Sequence, residues 1–62
     1  MKTSELIKLL KRSKACYLVE HGTEHDKWHS DITEKDFRVP RHKSKDLPVG
    51  TLNAILKDAG LK

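Results

Sequence analysis

The sequence predicts an α+β fold of order α-β-β-β-α, a three-stranded antiparallel sheet with two helices on one face. Three observations carry this prediction. Apolar residues recur at helical spacing near both ends of the 62-residue chain. Between those ends lie three short segments of strand-forming residues separated by polar turns. Strands joined by such short turns form a meander, and two amphipathic helices can cover only one of its faces.

The first helix is expected from about Ser4 to Lys14. Leu6, Ile7, Leu9 and Leu10 supply its apolar side, and Lys8, Lys11 and Arg12 its polar side. Thr3 or Ser4 is the candidate cap, since a side-chain oxygen there accepts from free backbone N–H groups. Lysines and Arg12 in the last turns suit the negative end of the helix dipole. Ala15 to Glu20 is too short for a helix and reads as a strand. Either Tyr17 and Val19 or Cys16 and Leu18 can face its core, because both pairs alternate. His21-Gly22-Thr23 is the following turn, with Gly22 expected to supply freedom at positive φ. Glu24 to Ser30 admits two readings. Thr23 with Asp26 three residues later resembles a capping box, but a helix here would bury only Trp28. A strand is therefore expected, with Trp28 inward and His25, Lys27 and His29 on the opposite face. Asp31 to Lys35 is a polar connection, and Asp36 to Pro40 a third strand alternating Phe37 and Val39 with Arg38. The last helix is expected from about Pro48 to Ala59. Leu52, Ile55, Leu56 and Ala59 form its stripe, Gly60 its stop, and Leu61 the hydrophobic contact of the cap.

Length and composition bound the function. The chain is expected to form one domain, residues 1-62, burying only about 60% of its unfolded surface. Three aromatic residues and 35% hydrophobic content leave no room for a large enclosed cavity. No apolar run approaches the roughly 18 residues of a membrane span, so no membrane association is expected. Cys16 is the sole cysteine, which excludes an internal disulfide framework and a Cys-rich zinc module. It reads as a core residue. A cytoplasmic location is expected, because packing without disulfides suits a reducing compartment and no secretory leader is apparent. A net charge of +4 points to a polyanionic partner, most often nucleic acid.

Three clusters are candidates for chemistry. The histidines are His21, His25, His29 and His42. Imidazole can take and give a proton near neutral pH, and His25 stands out at the start of a strand just after a turn. On a polar segment the plain alternative is a solvated surface residue. Arg38, Arg41, Lys43 and Lys45 fall in eight residues without an acid. With Lys27 they are the expected contacts of a polyanion, through sequence-independent phosphate binding, and the RNA contacts if that polyanion is RNA; the plain alternative is a solubilising loop. His25-Asp26-Lys27-Trp28-His29 superficially matches the zinc-hydrolase pattern H-E-x-x-H. That motif requires a helix. On a strand the two histidines lie about 13 Å apart, at about 3.3 Å per residue, so no metal site is expected.

The chain resembles the HicA family of bacterial toxins, the mRNA interferases of HicA–HicB toxin–antitoxin pairs. The resemblance rests on the leucine-rich Ser4–Leu10 start, Gly22-Thr23-Glu24-His25, Val39-Pro40-Arg41-His42, and the stretch from Leu47 to Leu61. Together these run through nearly the whole chain in order. The resemblance implies a double-stranded-RNA-binding-domain-like fold and a toxin that cleaves mRNA and arrests translation until a HicB-type antitoxin covers its active site. It implies that the histidine after the turn glycine is catalytic, here His25 at the longer spacing, with His21 and His29 as weaker candidates. It also sets Glu24, an anion, beside a site for phosphate. No cofactor is expected, since RNA carries its own nucleophile, the 2′-hydroxyl. The alternatives are a non-catalytic RNA-binding module of the same fold and an adaptor whose main partner is a protein. RNA sequence preference and oligomeric state stay open.

Overall fold

The computed structural model describes residues 1–42 and 44–62. Its elements are α1 (Thr3–Ser13), β1 (Cys16–Glu20), β2 (His25–Ser30), β3 (Lys35–Pro40) and α2 (Val49–Ala59), in the expected order. The sheet is antiparallel, with strand order β1-β2-β3. Both helices pack on one face of it.

Burial follows the apolar periodicities. Leu6 and Leu10 of α1 and Ile55 and Ala59 of α2 enclose Cys16, Trp28, Phe37, Val39 and Leu47. Ile7, Leu52, Leu56 and Leu61 pack at the margin of this core. Register aligns the inward residues across the sheet, with Trp28 between Leu18 and Phe37. The open question on β1 is resolved in favour of Cys16, which is buried, whereas Tyr17 is half exposed. The indole Nε1 of Trp28 is buried without a hydrogen-bond partner among the described residues. An orphaned donor costs about 1–3 kcal/mol. Burying about 150–250 Å² of aromatic surface returns roughly 4–6 kcal/mol at about 25 cal/mol per Å², so the ring stays inside.

The helix ends depart from expectation in one instructive place. Neither Thr3 nor Ser4 caps α1; Lys2 occupies the cap position and makes no side-chain bond. The Thr3 hydroxyl and N–H both donate to the Lys45 carbonyl, at 3.1 and 3.0 Å. A bridge between Lys2 and Asp46 and a bond from Leu47 N–H to the Met1 carbonyl bring that segment alongside. A distant carbonyl thus outcompetes the local cap for a fully buried hydroxyl.

The C-terminus of α2 ends as the sequence predicts. Gly60 is left-handed at φ 79°. The N–H groups of Gly60 and Leu61 donate to the Lys57 and Leu56 carbonyls, a Schellman closure. The remaining orphan carbonyls are taken by the end of β2 and the turn that follows it. Ser30 Oγ donates to Ala59 O at 2.6 Å, and Thr33 Oγ1 donates to Asp58 O. These bonds moor α2 to the far end of β2, opposite the end that carries His25.

The two helix C-termini predict stability changes of opposite sign. Lys14, which follows α1, is also left-handed, at φ 59°, but carries a side chain. Lys14→Gly should raise the melting temperature, with a gain of about 0.5–1 kcal/mol. Gly60→Ala should lower it, with a loss of at least about 1–2 kcal/mol in stability, because a Cβ there would also meet Ile32 Cγ2 at 2.5 Å. Thermal melts of both variants check this, and shifts of the same sign would contradict it.

Candidate active site

The site follows from the pleat of β2. Because Trp28 points inward, His25, Lys27 and His29 point to the face the helices leave bare. Opposite them on β3, Lys27 pairs with Arg38 and His29 with Asp36. The upper part of this face is an open groove of about 610 Å³, lined by His25, Lys27 and Arg38 together with Glu20 and Asp36. The His25 imidazole is exposed and has no hydrogen bond or ion pair among the described residues. Arg38 is likewise exposed and unpaired among them.

The turn that presents His25 is braced from the other side of the sheet. Asp26 points inward, with its side chain only 15% exposed. Its Oδ1 accepts from Gly22 N–H at 3.3 Å and His21 Nδ1 at 3.2 Å, and lies 3.4 Å from Arg41 Nε. Arg41 also donates from Nη1 to the Gly22 carbonyl at 2.6 Å and from its backbone N–H to Glu24 O. Gly22 is needed for a different reason than expected. Its φ is not positive; a Cβ would instead stand 2.1 Å from the His25 carbonyl oxygen. Any side chain there would displace the residue that starts β2.

The expected RNA contacts therefore fall into different places. Lys27 and Arg38 join His25 in the groove. Arg41 is committed to bracing the turn, and Lys45 sits on the segment that pairs with the start of α1, in the helix layer. Lys43 lies outside the described residues. Of the other histidines, His21 is held by Asp26 on the helix side. His29 is on the open face but is engaged twice, through Nδ1 to Asp36 Oδ1 at 2.6 Å and through Nε2 near Asp31 at 3.6 Å. Its ring lies against Tyr17, with centroids 5.4 Å apart. Since β2 is a strand, His25 and His29 do not converge as the helical zinc pattern requires.

Asp36 is the electrostatic hub of the face. The His29 hydrogen bond holds its carboxyl below the ordinary value of 3.8, against an opposing push from desolvation, and Lys27 at 3.5 Å adds to the lowering. That Lys27–Asp36 pair is solvent-exposed at both ends. Such exposed pairs contribute little to stability.

Residues 3–61 match the family model described as HicA toxin of bacterial toxin–antitoxin systems. No curated protein and no solved structure matches the chain.

A depressed carboxyl pKa makes a signed prediction. The stabilisation from Asp36 is complete above the unfolded carboxylate value, about 3.9, and is lost as pH falls through the lower folded value. Melting temperatures of the wild type and Asp36→Asn should differ at neutral pH, with the wild type higher, and converge in acid. Parallel curves would show that the His29–Asp36 bond contributes nothing.

Proposed function

The chain belongs to the HicA toxin family of bacterial toxin–antitoxin systems, and we propose that it acts there as an endoribonuclease on mRNA. The observation that carries this reading is His25, an imidazole with no partner among the described residues, in an open groove beside the Lys27 and Arg38 cations. The groove suits a single or loosely structured strand laid across the bare sheet face.

The chemistry asks little of the protein. The 2′-hydroxyl attacks the adjacent phosphorus and the 5′-oxygen departs, leaving a 2′,3′-cyclic phosphate. One proton must leave the attacking oxygen and one must reach the departing oxygen. His25 performs one of these transfers, a contribution of about 10²–10⁴-fold for a positioned group. Lys27 and Arg38 offset the charge that builds on the phosphorane oxygens. The nucleophile belongs to the substrate, so the step uses no cofactor.

Such an activity would harm the cell that makes it, so a HicB-type antitoxin is the proposed partner and the cytoplasm the proposed place of action. The bare face that carries His25 and Lys27 is the surface such a partner would cover. Among the described residues no helix is long and apolar enough to cross a membrane.

Two measurements test this. His25→Ala should abolish RNA cleavage and growth arrest on induction, by about 10²-fold or more in rate, while the melting temperature stays near wild type. Cleavage that persists, or products ending in a 3′-hydroxyl, would sink the assignment. Added HicB-type antitoxin should raise thermal stability by about 2.7 kcal/mol at 100 times its Kd. An unchanged melting temperature at that excess would count against the partner.

A further inference from the structure

Strict alternation along β1 would put Glu20 on the same side as Cys16 and Leu18, under the helices. The strand does not alternate strictly. Leu18 pairs with Trp28, and the next pair is Glu20 with Lys27, so two residues of β1 advance against one of β2. Val19 absorbs the extra step as a bulge, which turns the residue after it to the other face. Glu20 is therefore opposite Lys27, and its side chain lines the groove that holds His25.

Among the described residues nothing uses this carboxylate. Glu20 is exposed and makes no side-chain hydrogen bond or ion pair among the described residues. Lys27, directly across from it, is bonded instead to Asp36. An unengaged anion in a groove for phosphate weakens substrate binding. Its presence is accounted for if it takes part in the reaction.

We propose that Glu20 is the general base of the cleavage and His25 its general acid, an inference that rests on the ribonuclease reading above. The Glu20 carboxylate takes the 2′-hydroxyl proton as the 2′-oxygen–phosphorus bond forms. The His25 imidazolium gives its proton to the 5′-oxygen as the phosphorus–5′-oxygen bond breaks. The products are a 2′,3′-cyclic phosphate and a 5′-hydroxyl. Proton exchange with water then restores carboxylate and imidazolium. The groups sharing this face are Tyr17 on β1, His25, Lys27 and His29 on β2, and Asp36 and Arg38 on β3.

The two possible roles of Glu20 predict effects of opposite sign. If it is the base, Glu20→Gln lowers kcat by about 10²-fold or more. The same variant binds an RNA with a 2′-deoxy sugar at the cleavage position as tightly as wild type, or more tightly. Glu24→Gln, which removes a neighbouring carboxylate outside the groove, leaves the rate near wild type. If Glu20 is a bystander, losing its charge leaves the rate unchanged or raises it, and that result overturns the proposal, as does a loss confined to Glu24→Gln. Wild type that cleaves and His25→Ala that does not, with Glu20→Gln fully active, would defeat this inference alone. A wild type without cleavage would defeat the ribonuclease reading and the role of Glu20 together.

Discussion

One-sided burial of β2 is the constraint on which the rest depends. Trp28 is the largest side chain in the core, and it can be buried only toward the helices. Side chains on a strand alternate, so placing Trp28 inward commits His25, Lys27 and His29 to the bare face. A slip of one residue would exchange the two sets. Phe37 and Val39 on β3 lock the same choice from the other side, sending Arg38 outward to meet Lys27. Packing and chemistry are thus two readings of one register.

The position of His25 also depends on a tether that contributes nothing to the groove itself. Asp26 gathers Gly22, His21 and Arg41 behind the sheet, and Arg41 reaches across to the Gly22 and Glu24 carbonyls. These polar bonds hold the turn before β2 to the start of that strand and to Arg41. Gly22 completes the arrangement, because the chain passes so close to the His25 carbonyl that no Cβ fits. A charged residue that reads as a phosphate contact in the sequence is here part of the frame.

The bare face is a mosaic of both signs. Asp36 is bound to His29 and Lys27, and Glu20 stands opposite Lys27, so only part of the positive charge is free for a polyanion. On the ribonuclease reading proposed above, this arrangement would engage RNA briefly rather than grip it. It also leaves a face with charges of both signs for a protein partner to match.

The order of elements, the inward set on β2 and β3, the glycine stop of α2 and the outward placement of His25, Lys27 and Arg38 were all legible in the residues. Each follows from a local rule: helical period, strand period, or the conformational freedom of one glycine. Tertiary structure decided the rest. It gave the Thr3 hydroxyl to Lys45, assigned Arg41 to the turn, required Gly22 for closeness and not for positive φ, and turned Glu20 to the face of His25 through a bulge at Val19. These outcomes depend on which distant backbone groups come together and on where a ladder skips a residue. Local periodicity carries no information about either, because both are settled only when β1, β2 and the segment before α2 pack against one another.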